Sequence, residues 1–330
     1  MSITYLIGNG FDISVGLKTK YSDFYKYVIN SNELKNDNNE ILESIKNESD
    51  LWSDLELGLG NYTEGIGNDI DKLEKFYDDK FQIDIILREY LKTQQENIDW
   101  EKSKDNIQKN FMESIYSFYS MFNTAQRNKI KEVINHYRIG DYNIISFNYT
   151  NVIEKCVQLS EETIKLVYLH GSLKNDNTIL GVNDSEQIKN KFFKESSEMS
   201  IVMNKLKINE DIGEYTINKA ENILEKSLIV CVYGMSIGDT DKYWWEKIIE
   251  NLVNNKTKMV IIFHYEPNLD MRDRLKVSRA ENNIKDQLLR YSSEDEKIKD
   301  ELKRKIMVKC NSSMFNMELV FKNSNELVMQ

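Results

Sequence analysis

The sequence is nearly without proline. Pro267 is the only one in 330 residues, so no proline-rich linker divides the chain. Cysteine is scarce too: Cys156, Cys231 and Cys310 lie far apart and form no CxxC pair. That spacing excludes a disulfide framework and a zinc knuckle, and it fits a reducing cytoplasm. Histidine is limited to His136, His170 and His264, and with the ligand types this scattered no bound metal is expected. Long apolar runs are missing. The longest, "SLIVCVYG" and "MVIIFHY", fall well short of the roughly 20 residues that span a bilayer. No basic segment followed by an apolar stretch reads as a signal peptide. A cytoplasmic protein without membrane contact is the expectation. Nor is basic charge in excess. Lysine and arginine number 44 against 54 aspartates and glutamates, a net charge of −10. This argues against direct nucleic-acid binding, whose usual footprint is a basic face.

What is present reads as an α/β protein. "ITYLI" (3–7) is a short apolar strand running into Gly8. From about Tyr21 to Tyr137 apolar residues recur at helical spacing, as in Ile107, Phe111, Ile115, Phe118 and Phe122. This predicts a helical insertion over 21–137, with the glycines of "LGLGNYTEGIGN" (57–68) predicting a loop inside it. Strand signals return at 142–150, 164–172, 227–236 and 258–266. Each is a near-continuous apolar run, as suits strands buried on both faces of a parallel sheet. "TDKYWWEKIIENLVNN" (240–255) reads as a crossover helix, 270–309 as one or two exposed helices, and "MELVF" (317–321) as a final strand. The expected architecture is a doubly wound, mostly parallel, Rossmann-like sheet. Residues 1–20 and 138–330 form its nucleotide-binding core, and 21–137 are inserted after the first turn.

Open parallel sheets bind ligands at the carboxyl ends of their strands. Four polar signatures fall at such ends: Gly8-Asn9-Gly10-Phe11-Asp12, Ser146-Phe147-Asn148-Tyr149-Thr150, His170-Gly171-Ser172, and Gly234-Met235-Ser236-Ile237-Gly238-Asp239, with Asp241 close behind. Each has a structural alternative. The Gly-x-Gly turn can simply be tight, Asn148 can cap a helix starting near Thr150, His170 can be a core histidine, and Gly234–Gly238 can be an ordinary strand-to-helix turn. Their coincidence at four strand ends is what points to a shared site. Asp12 is the odd member, because a carboxylate repels phosphate. It is open to a ribose hydroxyl, to capping the short helix after it, or to a metal.

"IGNGFDISVGL", "YSDF", "WSDLE", "SFNYTNVIE", "HGSL" and "YGMSIGDTD" together resemble the bacteriophage abortive-infection AbiH family, from residue 6 to about residue 245. That family in turn resembles the sirtuin-like NAD-binding superfamily. The resemblance implies that Gly8, Gly10 and Gly16 match three sirtuin glycines. It puts Phe11 on an isoleucine and Asp12 on a small hydroxyl residue. Asn148 matches a ribose-side asparagine, His170 the catalytic histidine, and Gly234 to Ile237 a segment near the cofactor's phosphates and ribose. The sirtuin zinc module is missing, and Thr150 stands where sirtuins have aspartate.

On this resemblance the expected function is NAD hydrolysis at the nicotinamide–ribose bond during phage defence. Asn148 and His170 are the expected catalytic residues. Asn148 would orient water or a ribose hydroxyl, and His170 would serve as general base. Gly8, Asn9, Gly10, Phe11, Asp12, Gly234, Ser236 and Asp239 are the expected NAD-binding residues, with backbone amides of 9–11 holding the diphosphate. Glu56, beside apolar Trp52 and Leu55, is either a surface acid or an acid lowered over the pocket. The alternative function is a sensor or assembly part that binds NAD, ADP-ribose or another nucleotide without turning it over. A phage trigger and a second copy of the chain are the other expected partners.

Overall fold

The computed structural model describes residues 1–31, 38–48, 52–67, 70–161, 163–196, 201–211 and 215–322. Six strands form one all-parallel sheet. They are β1 Ser2–Ile7, β2 Asp141–Ser146, β3 Lys165–Tyr168, β4 Ser227–Tyr233, β5 Met259–His264 and β6 Ile306–Cys310. Their spatial order is β3-β2-β1-β4-β5-β6. The winding reverses between β1 and β4, a Rossmann-like order whose ligand crevice opens at that reversal.

The apolar runs are continuous because successive side chains serve opposite faces. Ile3, Tyr5 and Ile7 join Ile229, Cys231, Ile261 and Phe263 in one core. The helices Trp100–Tyr116, Thr124–His136 and Val152–Leu159 cover it. Leu6, Ile145, Val230, Val232 and Ile262 point into a second core. Thr216–Lys226, Lys242–Asn254, Arg274–Leu289 and Glu296–Lys303 close that side.

A third core contains no strand residue among the described residues. Phe24, Trp52, Leu59, Phe76 and Leu87 come from the segment after β1, and Leu180, Val182, Phe193 and Met203 from the segment after β3. These two excursions form a cap at the carboxyl ends of the strands.

Three expectations need correction. The stretch 57–68 is not a loop: Leu55–Tyr62 is an α-helix followed by a 3₁₀ turn, Thr63–Gly65, while residue 68 lies outside the described residues. Asp54 caps the helix, its Oδ1 accepting from the amides of Glu56 (2.9 Å) and Leu57 (3.1 Å). Its glycines make room for neighbours. A Cβ on Gly58 would stand 2.5 Å from the Trp52 ring, and one on Gly60 2.4 Å from the Gln187 carbonyl oxygen. Second, 317–321 adds no strand to the sheet. The segment lies along the helix Trp100–Tyr116, where the amides of Glu318 and Val320 donate to Asn106 Oδ1 (3.1 Å) and Ser103 Oγ (2.9 Å). Third, the charged stretch 270–309 is not helical to its end: two polar helices are followed by β6, which begins at Ile306 and runs to Cys310.

Candidate functional site

Register brings the four signatures together. Ile7 pairs with Ser146 and with Tyr233, and Ser146 pairs with Tyr168. The ladder then runs one residue further: Gly8 N donates to Tyr233 O (3.0 Å), Phe147 N to Ile7 O (2.9 Å) and Leu169 N to Ser146 O (2.9 Å). The next residues leave four adjacent strands at one level.

The glycines serve a backbone-to-backbone approach. Gly10 N donates to Gly234 O at 2.8 Å and Phe11 N to Gly8 O at 2.9 Å. A Cβ on Gly10 would lie 2.5 Å from Gly234 Cα, and one on Gly234, whose φ is +67°, 2.6 Å from Phe11 N. The turns after β1 and β4 are thus joined directly, and the amides of residues 10 and 11 are already engaged. Phe11 is a core residue, its ring edge-on to Phe315 and Phe111.

Beside this junction lies a cavity of about 190 Å³. Of the expected residues, Gly8, Asn9, Asp12, Asn148, His170, Gly234 and Ser236 line it. Gly10, Phe11 and Asp239 do not. Asp239 is exposed and accepts from Tyr291 Oη at 2.7 Å. The cap supplies Tyr21, Asp54, Glu56, Leu87 and Leu91 to the same lining.

Asp12 is 1 % exposed. Its Oδ2 accepts from Thr150 Oγ1 at 2.6 Å, while its Oδ1 has no hydrogen-bond partner among the described residues. Burial raises its pKa to about 7, against the opposing pull of Thr150 and the nearby Asn148 amide. The carboxylate bonds across to Thr150 and does not cap its own helix. Asn148 is 4 % exposed, and neither Oδ1 nor Nδ2 has a hydrogen-bond partner among the described residues. The Asn148 amide lies close enough to bias Asp12 yet outside hydrogen-bonding geometry. Nor does Asn148 cap the following helix, whose N-cap is Asn151.

His170 is 7 % exposed and clamped by the rings of Phe147 and Tyr149, at 5.6 and 6.2 Å between centroids. Burial and then the Lys205 ammonium push its pKa well below the ordinary 6.5, with the Phe147 carbonyl opposing. The imidazole is neutral at pH 7. Lys205, 1 % exposed, places Nζ 2.6 Å from Glu56 Oε1 and 3.4 Å from His170 Nδ1. Tyr149 Oη, 3.0 Å from Glu56 Oε1, also bonds that carboxylate. Burial raises Glu56 despite the lysine. Asp241, held by Asn183 Nδ2 at 3.2 Å, is likewise raised by burial, to about 7. Glu56 is therefore a buried acid of the site. Lys205 and Tyr149 were not expected there. Lys205 lies in "NKLKINED" (204–211), which carries no local signal, and only the return of the β3–β4 excursion brings it to Glu56.

Among the described residues, no group of three His, Cys, Asp or Glu side chains is arranged to hold a metal ion. Also among them, no helix is long and apolar enough to cross a membrane. The family described as bacteriophage abortive infection AbiH has a model that matches residues 4–263, more than half of the chain. No curated protein matches the chain significantly.

Proposed function

The chain belongs to the bacteriophage abortive infection AbiH family, and from that premise we propose that it defends the cell by hydrolysing the nicotinamide–ribose bond of NAD in a sirtuin-like site. The observation that carries this reading is a set of buried polar atoms without protein partners, Asp12 Oδ1 and Asn148 Oδ1 and Nδ2. They belong to residues lining a cavity at the topological switch point. An unsatisfied buried polar group costs about 1–3 kcal/mol, which a ligand or water hydroxyl can offset.

Charge supports the same end of NAD. Asp12, Asp54, Glu56 and Asp241 line the cavity, and Lys205 is the cation bonded into this group. Such a lining favours a cation over a phosphate. The nicotinamide of NAD is a pyridinium, and its ribose gains positive charge as the bond breaks. In the proposed step the C–N electron pair leaves with the ring nitrogen, giving neutral nicotinamide. A water oxygen bonds to the ribose carbon, and its proton passes to Asp12. A pKa of about 7 suits a base at neutral pH. Asn148 orients the water or a ribose hydroxyl.

The cavity is smaller than the roughly 300 Å³ at which ligand pockets begin. It takes the nicotinamide–ribose end, and the rest of the dinucleotide lies outside or enters as the cap lifts. That small volume also suits the second reading, binding without turnover. Incubation of the purified protein with NAD separates the two. Nicotinamide and ADP-ribose appearing in equal amounts is the expected result. Saturable NAD binding with no nicotinamide released would leave the sensor as the better account.

A further inference from the structure

We infer that Lys205 is a positioning residue that holds His170 in one neutral tautomer, with its proton on Nε2, so that His170 acts in the cavity as a hydrogen-bond donor and leaves the base role to Asp12. The catalytic half of this inference rests on the hydrolase reading; the tautomer half does not.

The argument begins with donors and acceptors. Lys205 Nζ lies 2.6 Å from Glu56 Oε1, the geometry of an ammonium–carboxylate salt bridge. An ammonium has three donors and no lone pair. His170 Nδ1, 3.4 Å from that nitrogen, therefore accepts. A neutral imidazole carries one proton, which then sits on Nε2. The ring has little freedom to rearrange, since Phe147 meets it edge-on and Tyr149 lies tilted against it. Tyr149 also bonds Glu56, so one network fixes the lysine, its counter-ion and the ring.

The consequence concerns roles. A histidine with its proton on Nε2 and its Nδ1 lone pair occupied by an ammonium has no free lone pair with which to accept a proton from water. Its one proton has the Phe147 carbonyl as a competing acceptor, and in the proposed scheme a ribose oxygen or the water being activated takes that place. Asp12, whose Oδ1 is unpartnered, has the free lone pairs. The segment after β3 thus contributes through Lys205, although that residue touches none of the reacting atoms in the proposed scheme.

The test is nitrogen NMR on the full chain with ¹⁵N-labelled histidine. With three histidines in all, His170→Gln identifies the signals of residue 170. At pH 7 the wild type is expected to show an unprotonated Nδ1 and a protonated Nε2 at that position. Replacing Lys205→Met together with Glu56→Gln leaves neither charge stranded. It should release the ring to a mixture of tautomers and lower kcat by about 10²-fold or more with KM little changed, as disorienting a histidine does elsewhere. If that double variant does not fold, the wild-type spectrum decides alone. A protonated Nδ1 in the wild type overturns the inference, and so does an unchanged His170 spectrum in the folded double variant. An Nε2-protonated His170 in a protein that releases no nicotinamide sustains the positioning by Lys205 and sinks the hydrolase reading. Nicotinamide release with a protonated Nδ1 does the reverse.

Discussion

Replacing Asp12 with asparagine separates the cost of the site from its use. Asparagine keeps an oxygen to accept from Thr150 Oγ1, now 2.6 Å from Oδ2, and removes the charge. A carboxyl whose pKa moves from 3.8 to about 7 costs roughly 4 kcal/mol to ionise in place at high pH, at 1.36 kcal/mol per pH unit. The sign follows from proton counts. Between about pH 4 and pH 7 the folded protein holds a proton on Asp12 that the unfolded chain has released, so stability falls as pH rises. Below pH 4 both states are protonated and there is no penalty; above pH 7 the full penalty is present. The stability difference between Asp12→Asn and wild type should be near zero at pH 4 and grow through pH 7. It should level off with the variant more stable by up to about 4 kcal/mol. Asp241, also raised to about 7, is common to both proteins and cancels in the difference. Urea denaturation at a series of pH values between 4 and 8.5 reads this directly. A difference independent of pH, or a wild type more stable than the variant at pH 8, would refute the reasoning. On the proposed mechanism the same variant loses turnover by about 10²–10⁴-fold, gaining stability where it loses activity.

Asn148→Ala should abolish nicotinamide release while changing unfolding free energy by less than about 1 kcal/mol, because neither amide atom has a hydrogen bond to lose; parallel denaturation and product assays check it. Gly234→Ala forces a side chain onto a φ of +67° with its Cβ 2.6 Å from a backbone nitrogen, and a loss of about 2–4 kcal/mol in urea denaturation is expected. Lys205→Ala strands the Glu56 carboxylate and should cost about 3–5 kcal/mol. Most of that loss should return in the Lys205→Met, Glu56→Gln pair, as thermal melts will show. In infected cells, wild type should deplete NAD and His170→Ala should not, at matched expression; NAD that stays level while wild-type cells still block phage would count against the hydrolase.

Strand positions were legible because both faces of β1, β4 and β5 are buried, as is the carboxyl half of β2, which leaves a near-continuous apolar run as a signal. β6 was not, since its five residues follow directly on two charged helices and run to the end of the same polar stretch. The convergence of Asn148 and His170 was legible from strand-end placement, and the parallel register supplies its cause. The meaning of the glycines was not. Gly8, Gly10 and Gly234 look the same in sequence whether a phosphate or another backbone comes close, and here it is backbone. The buried charge network was the least visible. Glu56 carried a weak hint beside Trp52, but Lys205 belongs to a polar run whose partner is known only once the chain has closed on itself.

That closure has a consequence for how the protein comes into being. The cap core is made from two excursions, one after β1 and one after β3, and the ion pair that joins them spans 149 residues. Contacts of such long range form late, because the loop entropy must be met before they gain anything. The sheet is subject to the same delay, since β1 pairs with β4. A nascent chain can therefore expose Asp12, Asn148 and His170 in sequence order without owning a site, and the network around Lys205 is complete only after both excursions have returned. Refolding followed at once by far-ultraviolet signal and by NAD binding should show the second lagging the first. On the proposed hydrolase reading, such a lag would leave the unfinished chain without activity until both excursions have closed.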